Sequence, residues 1–292
     1  MEGRVFLIFE QGKIINLTHH ILLVKDSRFK SIIINMTEFE KEIAERTKKI
    51  SGNKKLNEIS SKFMDETVIP KYSYNFLWLG RPIIQYPQDM VALQEIIWNV
   101  KPDLIIEIGI AHGGSLILSA SMIAMLDIAE SIEGNQKAYE PNKSKRKVLG
   151  VDIDIRNHNR ASIESHPMSN WIEMIEGSSI SSDVVDQVTN IAKKYNKVLV
   201  CLDSNHTHSH VLQELKSYAN LTSIGSYCVV FDTMIEDVPA AVFPDRPWGP
   251  GDNPKTAVHE YLKEDLNFEI DKSIHQKLLI TAAPDGYLKR IK

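Results

Sequence analysis

The chain has 292 residues, with 38 acidic residues against 34 lysines and arginines and a net charge of −4, so no global basic field points to nucleic acid. Hydrophobic residues make up 43% and charged residues 25%, the balance of a folded globular chain rather than a disordered or fibrous one. No apolar run reaches the roughly 18 residues of a membrane span, and the first residues lack the basic leader and cleavage site of a signal peptide. Cys201 and Cys228 lie inside apolar runs and are expected as buried reduced thiols, which together with the absent leader makes the cytoplasm the expected compartment.

The length allows one large domain plus an appendage. Residues 1–68 are expected to be that appendage and 69–292 the main domain. Within the appendage, the β-branched runs Val5 to Phe9 and Ile32 to Ile34 predict short strands or a small hairpin. Thr37 to Ile50 reads as a charged helix ended by Ser51-Gly52-Asn53, and Leu56 to Met64 as a second, short one. The segment 72–82 is aromatic with few charges and, with the appendage, suits a contact between copies in a homo-oligomer. Pro87 to Asn99 follows as a helix: Pro87 fits a first turn, and Met90, Leu93, Ile97 and Val100 recur at helical spacing.

From Asp103 onward strand and helix patterns alternate. Strands are expected at 104–108, 147–152, 171–175, 197–202, 226–231 and 277–282. The runs at 104–108 and 197–202 are apolar on both parities, as parallel strands covered on both faces require. The fold class is therefore α/β, a Rossmann-like, doubly wound, mostly parallel sheet. Glu130 to Lys147 is polar and reads as a solvated insertion loop. Its basic end, Lys143 to Lys147, is either a plain exposed face or a patch for an anionic substrate.

Ligands in such sheets bind beyond the carboxyl ends of the strands. The first of these ends is Glu107-Ile-Gly109-Ile-Ala-His-Gly113-Gly114-Ser115. A dinucleotide site wants G-x-G-x-x-G, so that backbone approaches a pyrophosphate. Here the glycines stand at 109, 113 and 114, with an acid two residues before the first. That spacing suits a ligand without phosphates whose positive centre and amino-acid tail lie over the turn, as in S-adenosylmethionine (SAM). Ser115 is positioned to cap the next helix with its N–H toward the ligand carboxylate. The alternative is a glycine turn that only packs strand against helix.

Asp152 ends the next strand and can accept both ribose hydroxyls of an adenosine ligand, with Asp154 a second candidate. Gly177-Ser178-Ser179 makes a small turn that can admit an adenine edge, although such a turn is also an ordinary loop. Asp203 and Asp232 end two strands expected to be neighbours, roughly 5 Å apart. Carboxylates that close repel unless paired, and Mg²⁺ would pair them; two capping aspartates without a metal are the alternative. His206, three residues after Asp203, suits a base that takes a proton from a hydroxyl. His208 and His210 fall on a helix and read as capping or solvent-facing. Thr233 to Pro254 is a long loop whose Arg246 and Trp248 either contact a substrate ring or belong to a rigid proline-braced connection.

Together these residues resemble the cephalosporin hydroxylase family of class I SAM-dependent O-methyltransferases, related to the rhamnosyl and macrolide-sugar O-methyltransferases. The matching stretches are Tyr74 to Gln88, Glu107 to Ser115, Val151-Asp152, Cys201 to Asp203 with His206, and Val230 to Thr233 with Arg246 to Trp248. The resemblance covers about residues 70–290. It implies methylation of a hydroxyl on a sugar or sugar-bearing metabolite, with a Rossmann-like SAM domain. It also implies Mg²⁺ held by the acid ending the fourth strand and a Glu-Asp pair ending the fifth, and a histidine base. Asp203, His206 and Asp232 fit those places. Phe231 stands where the glutamate of the pair would be, and Glu236 or Asp237 on the following loop would have to replace it. A SAM-binding partner protein without catalysis is the alternative function. An NAD(P)-dependent oxidoreductase shares the fold but not the glycine spacing.

Overall fold

The computed structural model describes residues 6–10, 13–17, 37–134 and 140–292, which divide into two compact units, Met1–Gly52 and Asn53–Lys292. The expected strand at Ile32 to Ile34 lies outside the described residues. In the smaller unit, β1 (Phe6–Glu10) pairs antiparallel with β2 (Lys13–Leu17), and α1 spans Glu38–Ser51. Thr37 caps α1 in a reciprocal box with Glu40, which satisfies two backbone donors that the first turn otherwise leaves free.

The larger unit begins with α2 (Lys54–Val68), longer at its carboxyl end than its apolar pattern predicts. β3 (Phe76–Trp78) and β4 (Arg81–Ile83) form a hairpin within the aromatic stretch, where the residue pattern predicts no strand. Its two-residue turn is Leu79-Gly80, both at positive φ (45° and 86°), as the tight hairpin turns that follow strand twist require. Then come α3 (Pro87–Val100), β5 (Leu104–Ile108), α4 (Gly114–Glu133), β6 (Lys147–Asp152), α5 (Asn157–Glu164), β7 (Ile172–Glu176), α6 (Ser182–Ala192), β8 (Val198–Leu202), α7 (His208–Tyr218) and β9 (Tyr227–Val230). The unit closes with α8 (Pro254–Glu264), β10 (Phe268–Ile270), α9 (Lys272–Leu278) and β11 (Tyr287–Arg290).

One seven-stranded sheet has the order β10-β11-β9-β8-β5-β6-β7. β5 to β9 are parallel, and β11 is wedged antiparallel between β9 and β10. Strand order reverses between β5 and β8, which are paired from Leu104↔Val198 to Ile108↔Leu202. The double apolar parity of β5 and β8 has its expected consequence. Ile105, Leu199, Cys201 and Val229 bury against α3 and α4 on one face. Leu104, Ile106, Val200 and Val230 bury with residues of α6, α7 and α8 on the other. Cys201 and Cys228 are free buried thiols. α4 is long and apolar enough to cross a membrane by length and composition, but Leu116, Ile117, Ile123 and Leu126 are wholly buried in this core.

The strand expected at 277–282 is not formed. Asp271 caps α9 through Ser273 N–H, so the apolar run Leu278-Leu279-Ile280 begins as a helix end, and Leu279 at φ 62° breaks any extended path. The antiparallel strand lies later, at Tyr287–Arg290. The polar segment after Glu130 starts as three more residues of α4. Its Arg146 is folded inward, 2.6 Å from Asp127 and 2.7 Å from Glu130, and Lys143 pairs with Glu140. Arg146 is therefore part of the fold rather than a solvated patch.

Candidate active site

Every residue named at a strand end lies at the carboxyl edge of the sheet, around the reversal between β5 and β8. After β5 the chain turns at Gly109 (φ 101°), where an added Cβ would stand 2.0 Å from the Asp203 carbonyl oxygen. That contact brings the β5 and β8 ends together and explains the first glycine of the motif. Gly113 (φ 83°) is the N-cap of α4, and a Cβ on Gly114 would lie 2.2 Å from the Pro82 carbonyl oxygen, so β4 lies directly on the turn. Ser115 does not cap α4, contrary to expectation; its hydroxyl faces Glu107.

The turn is braced from outside. Arg81 donates to the His112 carbonyl and to Asn159 Oδ1 (3.1 Å), while Asn159 Nδ2 donates to the Ala111 carbonyl at 2.9 Å. Asp152 braces it from below: its Oδ2 accepts the N–H groups of Ile110 (2.8 Å) and Ala111 (3.2 Å), and Oδ1 that of Asp154 (3.1 Å). Asp154 is exposed, one residue past Ile153, which is 73% exposed. Ser178 sits on the β7–α6 turn, its carbonyl accepting Ser181 N–H. The neighbouring Ser179 is buried and donates to Glu214 on α7, which also accepts Ser204 and faces His210. His208 packs on Thr256 and Glu260 of α8. Both histidines are thus held by neighbouring side chains.

Beneath the turn is a cavity lined by Gln85, Asp89, Glu107, Ser115, Asp203 and Phe231, among others. Glu107 is buried, its carboxyl pushed up to about 7 by the loss of water, and its Oε1 has no partner. Gln85 donates to Asp203 Oδ2 at 3.2 Å, leaving its own buried Oε1 unpartnered. Two orphaned acceptors on one cavity are a costly arrangement that a cationic N–H donor would relieve. Asp89 is also buried and pushed up to about 6, again by desolvation. Sequence reasoning gave no role to Arg81, Gln85 or Asp89: Arg81 and Gln85 lie in the matching stretch Tyr74 to Gln88, and Asp89 in the first turn of α3, a helix that the periodicity did identify.

Asp203, His206 and Asp232 come together: one ligand atom from each lies within 4.8 Å of the others. His206 Nε2 is 3.1 Å from Asp232 Oδ2 and 3.9 Å from Asp203 Oδ1. Burial, then the charge of Asp232, raises the Asp203 carboxyl well above its usual range. Trp248 packs edge-on to His206 with ring centroids 4.8 Å apart, and Arg246 lies over the indole at 5.1 Å. Glu236 is not in this cluster among the described residues. Its Oε2 accepts Gly251 N–H (2.7 Å) and the Asn253 side chain, which pins the long loop. Asp237 pairs with Lys255. Phe231 is buried in the core, so the cluster has two carboxylates.

A doubly wound sheet whose last antiparallel strand is inserted beside β9, with a glycine turn and an acid at its switch point, defines the class I methyltransferase fold. The family description "Rhamnosyl O-methyltransferase/CmcI" matches residues 70–291. A rhamnosyl O-methyltransferase of Mycobacterium tuberculosis is 32% identical over 229 residues, covering 75% of this chain and 82% of that one. The Mycobacterium leprae rhamnosyl O-methyltransferase is 29% identical over 215 residues, covering 73% and 82%. An apo structure of CmcI shares the fold at 18% identity and a TM-score of 0.50, over 75% of this chain and 77% of that one. The chain belongs to the Rhamnosyl O-methyltransferase/CmcI family and is a SAM-dependent O-methyltransferase. The oxidoreductase alternative falls with that membership.

Proposed function

We propose that the chain methylates a sugar hydroxyl, with His206 as base and Asp203 and Asp232 as ligands of Mg²⁺. The observation that carries this reading is the Asp203–His206–Asp232 cluster, set at the strand ends beside a cavity that holds two orphaned acceptors. The donor set fits the cation: Mg²⁺ is commonly held by one or two carboxylates with waters or substrate oxygens. The orphaned Oε1 atoms of Glu107 and Gln85 fit the ammonium of the SAM methionine tail.

When bound, SAM supplies an electrophilic methyl on a sulfonium, and Mg²⁺ lowers the pKa of a hydroxyl that it holds. Glu107 and Gln85 anchor the ammonium, while Gly109, Gly113, Gly114 and Ser115 shape the turn over which the tail lies. Because Asp152 is engaged by loop amides, the exposed Asp154 is the better acceptor for the ribose hydroxyls; Ile153 and Ser178, at the same strand ends, would hold the adenine. His206 takes the hydroxyl proton on the ring nitrogen that does not face Asp232, as the new O–C bond forms and the S–C bond breaks, giving a methyl ether and S-adenosylhomocysteine. Asp232, 3.1 Å from Nε2, orients the imidazole. Most of the acceleration comes from aligning oxygen, carbon and sulfur. A saccharide acceptor is supported by the names of the relatives and by the aromatic Trp248 packed edge-on to His206. The reading also takes in self-association, for which Tyr74, Leu77 and Leu79 are exposed, and a cytoplasmic setting, which suits two reduced buried thiols.

The test is isothermal titration of the full chain with S-adenosylhomocysteine, with and without Mg²⁺ and with NAD⁺ as control. It is followed by transfer of label from methyl-tritiated SAM to a panel of rhamnosides. Micromolar-range binding strengthened by Mg²⁺, with label in the glycoside, supports the reading. Binding without any Mg²⁺ response removes the metal from it, and label absent from every glycoside tested removes the sugar.

A further inference from the structure

Asp89 is buried in the first turn of α3, in the wall of the cavity that also exposes Asp203, and the proposed chemistry makes no use of it. Its two oxygens accept three hydrogen bonds, all from one segment far along the chain. Oδ1 accepts the hydroxyls of Thr281 and Tyr287 (2.7 Å for the latter), and Oδ2 accepts Ala282 N–H at 2.7 Å. That segment is the scaffold of the turn that carries Asp232. Val230 N–H donates to the Gly286 carbonyl at 2.8 Å, and Met234 N–H to the Ala282 carbonyl at 3.2 Å. The Thr233 hydroxyl donates to the Pro284 carbonyl at 2.7 Å. Gly286 is pressed so closely on the strand end that an added Cβ would stand 2.0 Å from the Val230 carbonyl oxygen. Between these fixed points Asp232 has φ 55°, a left-handed conformation that non-glycine residues keep only where their surroundings impose it.

We propose that Asp89 is a positioning residue for the divalent-cation site: it docks segment 281–287, and that segment holds Asp232 in the backbone conformation that turns its carboxylate toward Asp203 and His206. The inference rests on Asp203 and Asp232 being metal ligands. Asp89 itself touches neither cation nor substrate. A carboxylate suits the place because it is purely an acceptor and all three partners are donors. Asparagine would keep Thr281 and Tyr287 on its oxygen but set an NH₂ against Ala282 N–H.

The experiment titrates Mn²⁺ into the full-length chain and follows free Mn²⁺ by electron paramagnetic resonance. Wild type is compared with Asp89→Ala, Asp89→Asn, Thr281→Val and Gly286→Ala, with circular dichroism and S-adenosylhomocysteine affinity measured on each. Asp89→Ala is expected to weaken Mn²⁺ binding about tenfold or more, as loss of outer-shell support does at metal sites. Asp89→Asn and Thr281→Val should fall between it and wild type, and Gly286→Ala should match Asp89→Ala from the other side of the segment. S-adenosylhomocysteine affinity should stay within about threefold in Thr281→Val and Gly286→Ala, which lie outside the cavity lining, because the glycine turn is held separately by Arg81, Asn159 and Asp152. A purely structural role would lower thermal stability without separating the two affinities, and that outcome overturns the proposal. Thr281→Val is close to isosteric and keeps the test open if Asp89→Ala does not fold. Wild-type Mn²⁺ affinity in folded Asp89→Ala or Thr281→Val overturns the inference alone. Absence of Mn²⁺ binding to wild type overturns the metal reading and the inference with it.

Discussion

Substituting Gly109 by alanine probes the contact that joins the cofactor turn to the catalytic strand end. The new Cβ would meet the Asp203 carbonyl oxygen at 2.0 Å, its carbon at 2.6 Å and Ser204 Cα at 3.1 Å, all backbone atoms that no side-chain rotation can clear. Overpacking of this kind costs roughly 1–3 kcal/mol, and the positive φ adds roughly 1–2 kcal/mol for a residue with a Cβ. The total, ~2–5 kcal/mol, corresponds to a fall in Tm of roughly 5–15 °C for a unit of this size. Gly251→Ala is the control: φ is 89°, but nothing lies within 4 Å of the added carbon, so only the backbone strain applies. Differential scanning fluorimetry of both variants separates clash from strain, and calorimetry with S-adenosylhomocysteine reads the turn. Gly109→Ala should lose several degrees more than Gly251→Ala and bind S-adenosylhomocysteine more weakly. Equal losses, or unchanged affinity, would refute the idea that close approach of the two strand ends fixes the cofactor turn.

His206→Ala should lower turnover by about 100-fold or more while leaving S-adenosylhomocysteine affinity nearly intact; single-turnover kinetics with labelled SAM decide it. Burial lifts the Glu107 carboxyl from 4.5 to about 7, so between those values the folded chain holds a proton that the unfolded chain has released. Its contribution to stability is therefore present at low pH and lost as pH rises toward 7. Glu107→Gln should flatten that fall and be more stable than wild type at pH 8, by up to ~3 kcal/mol, yet bind S-adenosylhomocysteine more weakly; urea unfolding against pH measures the first effect. Asp154→Asn should weaken S-adenosylhomocysteine binding at unchanged Tm, whereas Asp152→Asn should lower both, since its oxygens hold the turn; the reverse pattern would return the ribose to Asp152.

The sequence made the sheet legible wherever a strand is covered on both faces. Leu104 to Ile108 and Lys147 to Asp152 have the expected bounds because a continuous apolar run between turns has few other readings. It failed where the same residue types serve another end. Leu278-Leu279-Ile280 is apolar but ends a capped helix, while the actual strand, Tyr287–Arg290, is only two buried apolar residues followed by two basic ones, too short a pattern to read as a strand. At the site, residues at strand ends were legible by position, since strand order alone fixes their neighbourhood. Side chains that reach in from elsewhere were not: nothing in Gln85 or Asp89 announces burial, and nothing in Glu236 announces that loop amides engage it. Hydrogen-bond partners close only after folding, and local pattern holds no record of them.

The insertion of β11 between β9 and β10 bears on the order in which a growing polypeptide can mature. β9 emerges from the ribosome some sixty residues before the strand that pairs with its outer edge, so that edge waits open during synthesis. Until residues 281–290 are released, the turn around Asp232 lacks the carbonyls that hold it. A nascent chain arrested near residue 275 would thus present β5 to β9 and the glycine turn without a finished acid cluster. Exposed on one side, it would be a natural client for a chaperone that recognises unpaired strands.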